Sequence, residues 1–384
     1  MTGFFTAPRI AWGPGAIEQL SGLGSRRALV VMDPLVARDP APRRVVEELA
    51  KSDAVVEIVS DLEHPDRIDT VDRLAERVRK QGVDWLVAVG GGRTIDGVKA
   101  ARIRAERPDV PLTALTSVLE LPEPPHVRLA AVPTTSGSGS EASGSVDLWN
   151  VDGTPVEIAH RALTPEWAFV DPVFAASLSP ELVLEGAWET AAQALEAYLS
   201  AWANPFSDAL AVDAFASVLE RLPHALRWSD DPDARAALHF AATAAGLAAS
   251  NAQRGLTHAL ARALVGPTGL SYGRLLGVIL PHVLEFDRPS ARDRIEALTR
   301  AVARGENESR VPLTTRLARI SETFRFPATL AVAGVDLSRV EGLRSEIVAH
   351  TLRSPGALAN PRVPSTADLE PLLDQVLGVA RPRP

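Results

Sequence analysis

Short apolar runs alternate with amphipathic stretches over the first 175 residues, and beyond them the pattern changes. Residues 27–32 (Arg-Ala-Leu-Val-Val-Met) read as a buried strand that stops at Asp33-Pro34. Residues 55–60 read as a second strand. Residues 85–89 form a third, closing on Gly90-Gly91-Gly92, and residues 129–132 a fourth, closing on Pro133-Thr134-Thr135. Between them, residues 66–80 space apolar or small side chains three and four apart, the period of a helix packed on one face. Strands alternating with helices, each strand closing in a turn, predict a parallel sheet with crossover helices. Ligands in such sheets sit beyond the carboxyl ends of the strands, where the Gly-rich and Thr/Ser-rich turns fall.

After Asp171-Pro172 the strand pattern is lost. Residues 180–201, 205–226, 233–264 and 273–285 are Ala/Leu-rich and helical in period. The expected architecture is α/β plus all-α: a Rossmann-like parallel-sheet domain over 1–175 and an α-helical substrate domain over 176–384. Residues 304–312 read as a charged loop, and the Pro-rich tail from Pro361 as loosely held.

Composition narrows the function. A chain of 384 residues exceeds one ordinary core, in keeping with two domains. A net charge of −8 argues against the broad basic face of a nucleic-acid binder. Neither a secretory leader nor an apolar run of about 18 residues is present, so a cytoplasmic protein without a membrane partner is expected. The chain has no cysteine, which removes disulfides, iron–sulfur clusters and thiolate zinc. Any metal site must draw on eight histidines and oxygen donors. Among the basic residues only Lys51, Lys80 and Lys99 are lysines, so a single arginine carries little weight on its own.

The stretch Gly90-Gly91-Gly92-Arg93-Thr94-Ile95-Asp96-Gly97-Val98-Lys99 follows a strand and opens a helix. Glycines there let a backbone approach a pyrophosphate, and a helix N-terminus favours its charge. The ligand-free alternative is a tight strand-to-helix turn. The loop from Pro133 to Glu141 sets the hydroxyls of Thr134, Thr135, Ser138 and Ser140 at the end of a neighbouring strand. It reads either as a surface loop or as the other wall of a dinucleotide site. Asp33 is placed to hold ribose hydroxyls and to repel a 2′-phosphate, favouring NAD with NADP still open, or else simply to form the turn before Pro34.

Together these segments resemble the iron-containing, or group III, alcohol dehydrogenase family over nearly the whole chain. Phe5 to Gly13 is similar to its N-terminal strand and turn. Gly90–Lys99 is similar to its Gly-Gly-Gly-Ser-x-x-Asp-x-x-Lys motif, with Arg93 in place of Ser. Pro133–Glu141 is similar to Pro-Thr-Thr-Ala-Gly-Thr-Gly-Ser-Glu. The resemblance implies a dehydroquinate synthase-like fold with NAD(P) and substrate in a cleft between the halves, and a homodimer or larger homo-oligomer.

The family's metal site is where the sequence departs. Ahead of Glu196-Ala197-Tyr198, Glu189 and Gln193 stand where the family has Asp and His ligands. Aligning Gly255–Arg262 and Leu280-Pro281-His282 puts His258 on the next ligand, Arg262 on a non-ligand histidine and Tyr272 on the last ligand. The family's usual Lys before the sheet-closing Asp-Pro falls on Pro155, with His160 nearby. In the family a divalent metal holds the substrate oxygen and lowers the alcohol's pKa. Here an amide and a phenol replace imidazoles, both poor ligands, so a site without a resident metal is expected.

In that site Tyr272 and His258 are candidates for base and oxyanion partner. Glu189, four residues from Gln193 on one helix face, is placed to orient them, and Arg262 to hold a substrate carboxylate or phosphate. Each has a bland counterpart: a packed tyrosine, a structural histidine, a drifted arginine. The expected function is an NAD(P)-dependent oxidoreductase acting on a hydroxyl or carbonyl of a small molecule or peptide with an anionic group. The chain is also similar to the divergent dehydrogenases of daptide-type ribosomal peptide biosynthesis. That resemblance implies oxidation of a C-terminal threonine followed by decarboxylation. A small aldehyde or keto-acid reductase resembling maleylacetate reductase, and a non-catalytic NAD-binding partner protein, are the alternatives.

Overall fold

A computed structural model describes residues 5–116, 126–228 and 231–379. Eight strands appear among them: β1 Arg9–Trp12, β2 Arg27–Met32, β3 Val55–Val59, β4 Trp85–Gly90, β5 Arg128–Pro133, β6 Ser145–Trp149, β7 Pro155–Ala159 and β8 Trp167–Val170. Six of these form one sheet in the order β1-β8-β5-β4-β2-β3, and every pairing in it is parallel. The alternation along each central strand divides two cores. Leu29 and Val31 of β2, Leu86 and Ala88 of β4, and Leu129 and Ala131 of β5 face one side. Ala28, Val30, Trp85, Val87, Val89, Ala130 and Val132 face the other. Both faces being covered is why these strands read as continuous apolar runs.

The sheet is flanked by α1 Arg43–Ala50, α2 Ile68–Gln81 and α3 Gly92–Glu106. The expected strands lie within one residue of their observed ends, and the crossover helix of 66–80 is α2. The antiparallel β6–β7 hairpin and strand β8 had no counterpart in the apolar pattern. The hairpin's Ser145, Asp147 and Glu157 interrupt the continuous apolar run that marks the other strands, and their partners come from distant helices.

From Pro180 onward all regular structure is helical: α4 Pro180–Leu199, α5 Pro205–Arg227, α6 Pro232–Ala252, α7 Leu256–Thr268, α8 Tyr272–Ala301 and shorter helices to Leu377. Local caps start several of them. The hydroxyls of Ser179 and Ser271 accept N–H bonds at the starts of α4 and α8, and Asn204 with Ser207 forms a capping box on α5. Two expectations are corrected. The helix expected over 233–264 breaks between α6 and α7, where Gln253 adopts a left-handed φ of 68° and Gly255 follows. The tail expected to be loose contains the helix Thr366–Leu377, which buries Leu369, Leu372, Leu373, Val376 and Leu377 in the helical core. Proline content misled there: Pro371 is tolerated inside that short helix while its apolar face is buried.

Candidate active site

The carboxyl ends of β4 and β5 lie side by side, Gly90 opposite Pro133, which brings the glycine turn against the Ser/Thr loop. A Cβ on Gly92 would lie 2.7 Å from the Ser138 Cβ, and one on Gly91 would lie 3.1 Å from Thr135. Only hydrogen fits at Gly92, and at Gly91 the Thr135 side chain would have to give way. Helix α3 starts behind Gly91 with no side-chain cap, so its first N–H groups are left for a ligand. The buried hydroxyls of Thr94 and Thr134 have no hydrogen-bond partner. An uncapped helix start in a glycine cradle, with Thr135, Ser138 and Ser140 lining the cavity beside it, fits a pyrophosphate-linked dinucleotide.

Beneath this wall, Lys99 is fully buried. Its ammonium donates to Ser140 Oγ (2.9 Å), Ser143 Oγ (3.2 Å) and the Ser145 carbonyl (3.1 Å). Asp96 accepts from the Ser140 hydroxyl and from the backbone N–H of Asp147 (2.9 Å). Burial pushes Lys99 down to about 8 and raises Asp96, their mutual attraction opposing both shifts. The pair therefore shapes the loop, and only Asp96 of the two reaches the cavity.

The loop is pressed against the helical half through glycines. A Cβ on Gly139 would lie 2.5 Å from the Gly246 Cα of α6, and one on Gly186 of α4 would lie 2.5 Å from the Ser136 carbonyl oxygen. Between the halves lies a cavity of about 790 Å³. On one side it is lined by Gly92, Arg93, Asp96, Thr135, Ser138 and Ser140; on the other by Glu189, Gln193, Arg254 and Tyr272. Arg93 chelates Asp66 at 2.7 and 2.8 Å and approaches His64.

Among the expected site residues, Glu189 and Tyr272 face this cavity. Burial pushes the Glu189 carboxyl up to about 8 against the pull of Arg254, and holds the Tyr272 phenol well above its usual range. His258 does not line the cavity. Its Nδ1 bonds Glu196 at 2.5 Å, and Glu196 also accepts N–H bonds from Gly255 and Thr257. Those bonds hold Glu196 ionised despite burial, and burial keeps His258 neutral. Its Nε2 has no partner, and the ring meets Tyr272 edge-on at 5.9 Å between centroids.

Arg262, expected beside the substrate, is absent from the cavity wall. It bonds Asp147 (Nε, 2.8 Å) and Glu157 (Nη1, 2.8 Å) and is 4% exposed, its charge spent tying α7 to the β6–β7 hairpin. Asp33 also lies off the cavity, and its carboxylate accepts the N–H of Leu35 (2.8 Å), the turn-forming alternative. Gly90, Gly91, Thr94, Thr134 and Lys99 lie behind the lining. His160 caps a short turn, accepting the N–H of Ala162 at 3.0 Å.

Sequence reasoning missed Arg254 and its partner Asp147. The available signal was an arginine beside a glycine in an otherwise Ala-rich helical run.

Matching family models cover most of the chain. The iron-containing alcohol dehydrogenase model matches residues 7–172, and the C-terminal model of the Fe-containing alcohol dehydrogenase family matches 189–377. The chain belongs to the iron-containing alcohol dehydrogenase family. It is 28% identical to the NADPH-dependent butanol dehydrogenase of Clostridium saccharobutylicum, over 86% of this chain and 87% of that one. It is 27% identical to the NAD-dependent methanol dehydrogenase of Bacillus methanolicus, over 98% and 100%. The iron-containing alcohol dehydrogenase of Thermococcus thioreducens superposes with a TM-score of 0.88 at 27% identity, covering 97% of this chain and 99% of that one. The chain is an oxidoreductase of the alcohol dehydrogenase type.

As an iron-containing alcohol dehydrogenase family member it has an unsuitable donor set for the metal. The positions that the sequence resemblance assigns to the ligands carry one carboxylate (Glu189), one imidazole (His258), an amide (Gln193) and a phenol (Tyr272). The Gln193 amide nitrogen is committed to the carbonyls of Gly137 (2.8 Å) and Ser138 (2.9 Å). The remaining amide oxygen and a protonated phenol are weak partners for a divalent cation. Among the described residues no three His, Asp or Glu side chains gather into a metal-holding group. No described helix is long and apolar enough to cross a membrane.

Proposed function

We propose that this chain is a metal-independent, NAD-dependent dehydrogenase that oxidises a hydroxyl, or reduces the matching carbonyl, on a substrate carrying an anionic group. The observation that carries the reading is the single cavity in which an uncapped helix start faces Glu189, Tyr272 and Arg254. A nicotinamide dinucleotide held there by Gly92, Thr135, Ser138 and Ser140 would supply hydride transfer to or from the substrate carbon. The protein's part is to hold the substrate oxygen and move its proton. Tyr272 offers its phenol hydrogen to that oxygen, and Glu189 takes or returns the proton. His258, fixed by Glu196 behind Tyr272, holds the phenol ring in place. NAD is the proposed cofactor, with NADP the alternative; Asp33, committed to its own turn at the end of β2, does not select between them.

The proposed substrate is a peptide ending in threonine, in specialised biosynthesis. Loss of hydride from its β-carbon and of the hydroxyl proton leaves a β-keto acid. Its carboxyl group leaves as carbon dioxide, the bonding pair passes to the α-carbon, and a proton there completes an aminoketone. The enzyme works in the cytoplasm as a homodimer or larger homo-oligomer, without nucleic-acid or membrane partners.

The test is incubation of purified protein with NAD and a threonine-ended peptide, following nicotinamide absorbance, carbon dioxide and bound metal. Metal-free protein that releases carbon dioxide supports the reading. Tyr272→Phe lowers kcat by about 100-fold or more with NAD affinity unchanged. Stoichiometric zinc or iron, or turnover confined to small uncharged aldehydes, overturns it.

A further inference from the structure

We propose that Arg254, and not Arg262, reads the substrate carboxylate; the inference rests on the anionic-substrate reading above and names the residue that makes the selection. Arg254 stands where the chain breaks between α6 and α7, held by the left-handed Gln253 on one side and Gly255 on the other. This break turns the side chain out of the helical core and into the cavity wall beside Glu189 and Tyr272. The side chain is 12% exposed, so its guanidinium is nearly dry yet reachable from the cavity.

The two neighbouring arginines differ in what is left to them. Arg262 has its own carboxylate in Glu157 and a share of Asp147, and its Nη2, without a hydrogen-bond partner among the described residues, is buried away from the cavity. Arg254 has only Asp147 within hydrogen-bond reach, at 2.8 and 3.4 Å, with Glu157 3.9 Å away. Of five guanidinium N–H bonds, those two contacts use two. Asp147 is spent, since Oδ1 receives Arg262 and Oδ2 receives Arg254. The other cavity-lining arginines, Arg67 and Arg93, belong to the dinucleotide wall and chelate Asp69 and Asp66. Arg254 is therefore the cation of the substrate wall with donors to spare. A planar fork in a dry site recognises a carboxylate by two parallel charge-assisted bonds. An amide in the same place returns neither charge nor a second acceptor. Asp147 serves as its positioning residue, fixing the guanidinium plane from behind.

The test compares acid with amide. Wild-type protein with NAD is given a threonine-ended peptide and the same peptide as its C-terminal amide; with NADH it is given succinic semialdehyde and butanal. The charged member of a pair is favoured by about 10- to 100-fold in kcat/KM. Arg254→Gln collapses that ratio toward one, chiefly through KM. Arg254→Lys, which keeps the charge beside Asp147 if the glutamine variant does not fold, lowers the ratio several-fold because an ammonium cannot make the paired bonds. Calorimetric binding of each pair to nicotinamide-loaded protein reads the same ratio without turnover. A wild-type preference that persists in both variants overturns the role of Arg254 and leaves the anionic-substrate reading standing. Wild-type protein that ignores charge in both pairs overturns that reading and this inference with it.

Discussion

The two walls of the cavity are built on different principles. The dinucleotide wall is made of backbone: three glycines, a helix start and a loop of small hydroxyl residues, all within two stretches of about ten residues. Its buried ionisable groups are Asp96 and Lys99, from one turn of one helix, and Glu141 at the end of the loop. The opposite wall is made of side chains drawn from α4, α7, α8, the α6–α7 break and the β6–β7 hairpin. Its charged network links Asp147 and Arg254 at the cavity to Glu157 and Arg262 behind it, each acid lying about a hundred residues from the arginine it neutralises across the seam. A backbone-built wall tolerates little change, because what it needs is close approach. A side-chain wall can be rebuilt residue by residue, and here it presents Glu189, Gln193, Arg254 and Tyr272 to the cavity.

Breaking the seam gives the largest effect. Arg262→Met leaves Asp147 and Glu157 buried with one cation fewer, and should cost about 3–5 kcal/mol in chemical denaturation. A loss under ~1 kcal/mol would mean that the network does not hold the halves together. On the dinucleotide wall, Gly97→Ala puts a Cβ 2.0 Å from the Pro65 carbonyl oxygen. It should cost roughly 1–3 kcal/mol and weaken NAD binding, measured by nucleotide fluorescence, more than it affects the α4–α8 packing. Unchanged NAD affinity would sink the claim that close approach is what this wall requires.

The smallest effect separates the halves by pH. Asp84, in the sheet half, is held below the ordinary carboxylate value: burial opposes this, but N–H bonds from Arg26 and Arg27 and the Ser25 hydroxyl outweigh it. It stabilises the fold above pH 3.8, and that contribution is lost as pH falls further. Asp287, in α8, is pushed up to about 8 by burial, opposed by its bond from Asn360. The native state then binds the extra proton, so stability falls as pH rises from about 4 to about 8. Asp287→Asn should raise the melting temperature at pH 9 and leave it nearly unchanged at pH 4; the opposite order would contradict the assignment.

The sheet and the long helices were legible because their signals are local. Continuous apolar runs such as 85–89 mark strands covered on both faces, and three-four spacing marks helices. The break at Gln253–Gly255 was not, since a lone Gly in an Ala-rich run is also compatible with a continuous helix. Nor was the burial of 366–377, where proline content outweighed a short apolar periodicity. In the site, the glycine turn and hydroxyl loop were readable for the same local reason. Arg262 and Arg254 were not distinguishable, because eight residues separate them and either arginine can face a cleft or a carboxylate.

By itself the sequence determined the parallel sheet, the helical second half and the position of the glycine and hydroxyl loops at the strand ends, since each is written within a few neighbouring residues. The tertiary structure alone decided which arginine meets the cavity, where His258 stands behind Tyr272, and how the hairpin joins the site. Those outcomes depend on Asp147, Glu157 and Glu196 arriving from elsewhere in the chain, and on burial deciding which charges each of them must neutralise.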